Sequence, residues 1–321
     1  MLFLGKKTEP RLDFLQTSSQ GNPFARVEDN YRPSNVARLT PGTIQGPRTC
    51  SNIQCTAMWT ALWRSRKRPV FEEQWGCSGR CVLEMVRAAV QREVGNGMEN
   101  APVRHRHRVP LGLLLLGQGW ITPPQLQYAL DVQREHGGRI GEVLVAQCDV
   151  DPDRITRALS LQWSCPVLSA SGFSPREMAL VAPRTFVEQF GLLPVRVAGS
   201  RILYLGFEDR LDASAALALE QMSGLIVESG LMKTREYESA RLAFLESDAV
   251  ELKEESYGEA DAMAARITAI LEQKQPVASK LVRVHRYYWL RLWLEAAAHR
   301  PQERLTRNGE DMLDYIFRIG K

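Results

Sequence analysis

Three groups of residues in this sequence have types and spacings that could do chemistry. Four of the six cysteines form two short pairs, Cys50-x4-Cys55 and Cys77-x3-Cys81, which could make a four-thiolate zinc site. Their spacing is loose, and free thiols are the preferred reading. The run Arg104-His105-Arg106-His107-Arg108, if extended, puts its arginines on one face and its histidines on the other. Two histidines without a carboxylate or thiol companion make a poor metal site, so the arginines are the more useful half. The third group is a pattern written twice. Leu111-Gly112, Leu115, Gly119, Leu126, Leu130 and Gln133 are followed, 29 residues on, by Ile140-Gly141, Leu144, Cys148, Ile155, Leu159 and Gln162. Gly112 and Gly141 leave room for a ligand or another backbone to approach.

Nothing in the chain supplies a reaction. There is no Gly-x4-Gly-Lys-Ser/Thr phosphate loop, no Gly-x-Ser-x-Gly, no His-Glu-x-x-His and no paired-carboxylate motif. The expectation is a protein that is not an enzyme and that has no cofactor and no metal.

The duplicated residues need elements to hold them, and the punctuation between them repeats as well. Ile121-Thr122-Pro123 and Val150-Asp151-Pro152 each give an apolar residue, a good N-cap and a proline at the first helical position. Each copy therefore reads as a short helix, a turn and a second helix.

This tandem pattern resembles the N-terminal domain of type II secretion and type IV pilus assembly ATPases. In that family it binds the bacterial second messenger cyclic di-GMP. The resemblance covers roughly residues 108 to 246 and departs at Pro110, where an Arg is expected, at Cys148 in place of Gly, and at Ile140 and Ile155 in place of Leu. It implies a ring-shaped ligand with two phosphates and two guanines, met by two similar half-sites. Arg139, Ile140, Gly141, Leu144, Ile155, Leu159 and Gln162 would form the second. Leu111, Gly112, Leu115, Leu126, Leu130 and Gln133 would form the first, with Arg108 or Arg106 reaching the phosphate that Pro110 cannot. Asp209, in the acidic turn Glu208-Asp209, joins the implied ligand set. An arginine fork suits a phosphate or a guanine edge, and an amide can both donate and accept.

The rest of the chain divides by composition. Residues 1–57 lack sustained periodicity and read as disordered or as an upstream extension ahead of Met58. Residues 58–107 hold a basic segment (Arg64, Arg66, Lys67, Arg68, with Trp59 and Trp63) and one amphipathic helix over Val82–Val94, stopped by Gly95-Asn96-Gly97. Residues 108–168 are the tandem-motif helical subdomain. Residues 169–246 read as a small α/β subdomain: helices over 175–181, 184–190, 212–222 and 234–245, with strands over 193–198, 201–207 and 225–229. Residues 247–258 read as a linker. Residues 259–321 read as a helical tail with helices over 260–271, 277–298 and 310–318. The fold class is α+β. No integral membrane segment is expected, because the most apolar run, Val109 to Ile121, is short and carries three glycines and a proline. A net charge of +4 on 321 residues does not by itself call for nucleic acid.

These readings combine into a cytoplasmic, non-enzymatic cyclic di-GMP receptor or adaptor that signals to a protein effector through its C-terminal helices or through the basic N-terminal segment. The principal alternative is a docking module that has kept the fold, lost the nucleotide and contacts a secretion or pilus inner-membrane component. A weaker one is a nucleic-acid binder using Arg64 to Arg68 and an Arg/Trp-rich tail.

Overall fold

The computed structural model describes residues 50–56, 70–99, 108–247, 250–295 and 309–320. Residues 1–49, the basic cluster at 64–68 and the histidine run at 104–107 lie outside the described residues. A small hairpin, β1 (Val70–Phe71) and β2 (Gln74–Trp75), precedes α1 (Gly79–Glu99). Four helices follow: α2 (Leu111–Gly117), α3 (Pro123–His136), α4 (Ile140–Cys148) and α5 (Pro152–Trp163). Next come β3 (Val167–Leu168), α6 (Pro175–Ala179), α7 (Arg184–Phe190), β4 (Leu193–Ala198), β5 (Ile202–Phe207), α8 (Ala213–Ser223), β6 (Ile226–Met232) and α9 (Thr234–Leu245). The chain closes with β7 (Glu251–Tyr257), α10 (Ala260–Lys274), β8 (Ala278–Val284), β9 (Tyr287–Trp293) and β10 (Met312–Ile319). The α+β class is as expected.

The middle subdomain forms as its sequence dictates. Asp212 caps α8 by accepting the Ala215 N–H at 3.0 Å. Gly199 and Ser200 take positive φ, 57° and 54°, in the turn between antiparallel β4 and β5. The sheet order is β3-β6-β5-β4, so the short β3, not foreseen in the sequence, extends it at one edge.

The C-terminal region departs from the expectation. In place of a helical tail, the described residues form α10, a 3-10 turn at Gly309–Asp311 and a four-stranded sheet of order β7-β10-β9-β8. The segment read as the helix 277–298 holds the antiparallel hairpin β8–β9 over 278–293, and of the expected helix 310–318 residues 312–318 lie in β10. The cause is burial on both faces. Along β9, Tyr288, Leu290 and Leu292 face a core shared with α1 and α10, while Tyr287 and Trp289 face the middle subdomain around Phe186, Ala215 and Leu219. A strand covered on both sides loses the alternation of apolar and polar residues by which strands are recognised. The supposed linker 247–258 contains β7, one of the sheet's two edge strands, paired in parallel with β10. Its acidic character suits an exposed edge that must not recruit another strand. Upstream, α1 runs past Gly95-Asn96-Gly97 to Glu99.

Tyr287, Tyr288, Trp289 and Arg291 lie in the interior and not on a contact surface, whereas Arg283 and Trp293 are half-buried and Arg286 is exposed. Trp289 and Leu290 are fully buried, and Arg291 is buried with its guanidinium on Asp314. Arg291 donates to Asp314 at 2.8 and 2.7 Å and to the Leu180 and Val181 carbonyls at 2.9 and 3.2 Å, and Trp289 Nε1 donates to Asp314 at 2.9 Å. The cluster ties the C-terminal sheet to the loop after α6. An effector contact through C-terminal helices, and nucleic-acid contact through an Arg/Trp tail, therefore have no surface of the expected kind among the described residues.

Removing one member of such a pair leaves a buried charge uncompensated. Asp314→Ala should lower unfolding stability by about 3–5 kcal/mol, whereas the double replacement Asp314→Leu with Arg291→Met should cost much less. Urea denaturation of both variants checks this; equal losses would mean that the charge pairing is not what makes the site sensitive.

Candidate functional site: two openings closed by each other's amide

The repeat in the sequence is a repeat in the packing. α2 packs on α5 and α3 on α4, so each copy's first helix lies against the other copy's second. The core of this subdomain is written in equivalent pairs, Leu115 with Leu144, Ile121 with Val150 and Ala129 with Ala158. At the end of the first copy, Gln133 Nε2 donates to the Gly138 carbonyl at 2.9 Å, just ahead of the second copy. At the end of the second, Gln162 Nε2 donates to the Val109 carbonyl at 2.8 Å, just ahead of the first. Val109 and Gly138 are equivalent positions, so each copy's terminal amide closes the opening that precedes the other copy's first helix.

The caps follow from the sequence. Thr122 and Gln125 form a reciprocal capping box at α3, and Asp151 caps α5 by accepting the Asp153 N–H at 2.9 Å. Pro110 and Arg139 are the matching residues ahead of α2 and α4, with φ −56° and −94° and ψ 139° and 131°. Proline thus preserves the backbone of the opening while removing the arginine side chain. The other departure is also local. The first copy turns at Gly119 (φ 66°), whereas α4 runs on through Cys148 and the left-handed position falls on Asp149 (φ 53°). Short acidic and amide side chains tolerate that conformation better than most.

Several of the expected ligand residues have structural duties. Gly112 and Gly141 are buried, and a Cβ on either would meet Leu126 Cδ1 at 2.5 Å or Ile155 Cγ2 at 3.0 Å. What approaches these glycines is the second helix of their own copy. Leu115 and Leu144 are fully buried, and Ile155 nearly so. Leu111, Leu126, Leu130, Ile140 and Leu159 are only half-buried and keep some apolar surface exposed.

The charged members lie around one turn. Arg139, with its side chain half exposed, pairs with Asp209 at 3.2 Å, Glu208 at 3.3 Å and Glu142 at 3.7 Å. Burial alone would lower its pKa, but these carboxylates outweigh that and raise it. Arg108 lies over Trp163, its guanidinium carbon 3.3 Å from the ring centroid. Its pKa is lowered, first by burial and further by neighbouring Arg210. The carboxylates of the turn Glu208-Asp209-Arg210 therefore meet Arg139, and its arginine is near enough to Arg108 to depress that pKa. Trp163 and Arg210 were not singled out in the sequence. The signal was available, since Trp163 directly follows the last motif residue and Arg210 directly follows the acidic pair. Trp163 also packs edge-on against Phe207 at 5.4 Å, and its buried indole N–H has no acceptor among the described residues.

A separate recess of about 790 Å³, lined by Ala182, Arg184, Glu251, Glu254 and Met312 among others, shares no residue with the tandem motif.

No protein-family model matches the chain. Over 137 residues it is 29% identical to the type IV pilus assembly ATPase PilB of Thermus thermophilus, covering 42% of this chain and 15% of that protein. Over 94 residues it is 29% identical to PilB of Myxococcus xanthus, covering 29% of this chain and 17% of that one. The chain thus spans a small part of the length of these relatives. They are pilus assembly ATPases, from the family whose N-terminal domain the tandem motif resembles. Among solved structures, the chain is similar to MshE with cdg, at 24% identity and a TM-score of 0.37 over 43% of this chain and 99% of that one. It is also similar to the N-terminal domain of XpsE, at 20% identity and a TM-score of 0.33 over 42% of this chain and 92% of that one.

The contact of Gly112 with Leu126 makes a defined coupling. Alanine gains up to about 1 kcal/mol of helix propensity over glycine, but forcing a methyl into packed space costs roughly 1–3 kcal/mol. Gly112→Ala should therefore destabilise the protein, and Leu126→Ala should cost less in that background than in the wild type. A denaturation double-mutant cycle measures the difference; strict additivity would show that the two residues do not compete for space.

Proposed function

We propose that this chain is a non-enzymatic receptor for cyclic di-GMP that binds the ligand across the paired openings of the tandem motif and signals through protein contacts. The observation that carries the reading is the reciprocal closure of each copy by the other copy's glutamine. It makes the openings equivalent on one small body, which is the arrangement a two-fold symmetric ligand requires. The kinship in sequence with pilus assembly ATPases supports the same ligand class.

The groups then take distinct tasks. Arg139 and Arg108 meet the phosphates, as charge-assisted donors with a planar fork. Asp209 cannot hold a phosphate, but its carboxylate can accept from the N–H edge of a guanine. Gln133 and Gln162 set the backbone of each opening, and the half-buried Leu111, Leu126, Leu130, Ile140 and Leu159 offer apolar surface to the bases. The buried Gly112, Gly141, Leu115, Leu144 and Ile155 keep the two copies packed. No helix among the described residues is long and apolar enough to cross a membrane, and the proposed place of action is the cytoplasm.

A second reading has specific support. Pro110 removes the arginine from one opening, and Arg139 is already engaged by three carboxylates, so neither of the two matching positions directly ahead of α2 and α4 offers an uncommitted cation. On this reading the chain docks onto a secretion or pilus inner-membrane component without nucleotide. Co-purification of such a component, unaltered by added cyclic di-GMP, distinguishes it from sensing.

Calorimetry of the full chain tests the first reading. Cyclic di-GMP should bind, and cyclic di-AMP, which lacks the guanine edge, should bind more weakly. Arg139→Ala should lose about 1.5–3 kcal/mol, one to two decades in affinity. Arg108→Ala should lose less but measurably, and Asp209→Asn should weaken guanine recognition. A folded sample giving no heat with cyclic di-GMP at roughly ten micromolar of each would remove the proposal.

A further inference from the structure

Away from the tandem motif, the two cysteine pairs converge. Cys50 and Cys55 lie on a tight turn, where the Cys55 N–H donates to the Asn52 carbonyl at 3.0 Å and the Gln54 N–H to Asn52 Oδ1 at 3.0 Å. Cys77 and Cys81 flank the start of α1, both buried. The four Sγ atoms all lie within 4.8 Å of one another, with Cys55 to Cys77 at 3.5 Å and Cys77 to Cys81 at 3.6 Å. We propose that Cys50, Cys55, Cys77 and Cys81 form a structural zinc site that staples residues 50–55 to the start of α1.

The geometry favours this over free thiols and over disulfides. Four sulfurs at about 2.3 Å from one tetrahedral ion are about 3.8 Å apart, close to the separation of the nearest pairs here. A disulfide needs its sulfurs at about 2.05 Å, well inside these distances. The x4 and x3 spacings both lie within the range used by zinc-binding pairs. The Cys77 N–H donates to Cys50 Sγ at 3.3 Å, the kind of backbone bond that steadies a thiolate ligand. Two further bonds lock the two halves of the knuckle in place: the Ser51 N–H to the Trp75 carbonyl at 2.9 Å and the Cys81 N–H to Ser78 Oγ at 3.3 Å. An all-thiolate tetrahedral set selects zinc or iron. Sulfurs gathered this closely suit a single ion, because a multi-iron cluster holds its cysteines farther apart.

The site has a structural consequence. The adjoining hairpin is bonded to the C-terminal sheet: Glu72 N–H donates to Ser279 Oγ at 3.2 Å, and the Leu281 N–H donates to Glu72 Oε1 at 3.3 Å. Zinc would therefore fix residues 50–55 to the part of the fold built on α1 and that sheet, independently of any nucleotide at the tandem motif.

Metal analysis of the full chain, purified without chelator and desalted after exposure to zinc, is the test. About one zinc per chain is expected. It should be lost in Cys77→Ser and Cys81→Ser and kept in Cys148→Ser and Cys165→Ser. A mercurial reagent should release the zinc as it consumes the four thiols, and cobalt in its place should show the absorption of tetrahedral thiolate coordination. Both of these readouts need only the wild-type protein, so a serine variant that fails to fold does not leave the question open. A wild-type chain that retains no zinc while all its thiols react freely would overturn the site, as would iron with inorganic sulfide, or a disulfide found by mass under non-reducing conditions.

Discussion

The constraint on which the rest of the structure depends is that the C-terminal sheet must be covered on both faces. Leu281, Tyr288, Leu290, Leu313, Tyr315 and Phe317 present one apolar face, and Val282, Val284, Tyr287, Trp289 and Ile316 present the other. Either face left to water would forfeit the main stabilising term of folding. α1 and α10 cover the first, although they are far apart in sequence. The second face is covered by the middle subdomain through α7 and α8. The Arg291–Asp314 pair lies on that second face, and its bonds to the Leu180 and Val181 carbonyls fix where the two layers meet. Hydrophobic burial sets the pairing of layers, and this buried polar cluster sets the register.

The tandem motif joins the same body through a narrower contact. Leu159, Trp163 and Cys165 pack against the core that holds Phe207, Leu219 and Trp289. Trp163 thus has Arg108 on its face, Phe207 at its edge and a core continuous with the C-terminal sheet around it. An aromatic ring of this size is a rigid wedge with few rotamers, so a displacement of Arg108 bears directly on the packing beneath it.

How much could be read beforehand depended on whether an element's pattern is local. The tandem helices, their caps at Thr122 and Asp151, the turn at Gly199-Ser200 and the bounds of α7 and α9 follow from neighbours in sequence, and each was legible. The C-terminal strands were not. Tyr287–Trp293 is buried almost throughout, and its apolar spacing fits a helix as readily as a two-faced strand. Glu251–Tyr257 read as a linker because its partner strand, Met312–Ile319, lies far along the chain. The site was half legible. Repetition marked Gly112, Gly141, Gln133 and Gln162, but it could not show that the glycines face Leu126 and Ile155, or that each glutamine serves the opposite copy. The four cysteines were legible as a possible zinc set, but free thiols were preferred to it, because their convergence depends on how residues 50–55 fold back onto α1.

The electrostatics of the acidic turn give the proposed ligand a way to be felt. Arg139 is shared among Asp209, Glu208 and Glu142 in a half-exposed setting, where each ion pair is individually weak. A phosphate brings a full charge and a geometry matched to the guanidinium fork, so it competes well for the same donors. Whatever Arg139 gives to a phosphate it withdraws from Glu208 and Asp209. Those two residues follow directly on β5, and Asp212, which caps α8, lies three positions beyond Asp209. Since α8 packs against β8, the turn stands at one end of a short path of packed elements from the proposed nucleotide site to the C-terminal sheet. On the proposed reading, exchange of Arg139 between carboxylates and phosphate is the step that loosens or re-seats this turn. The differential contact needed to shift a conformational equilibrium is then located in three side chains, not spread over the fold.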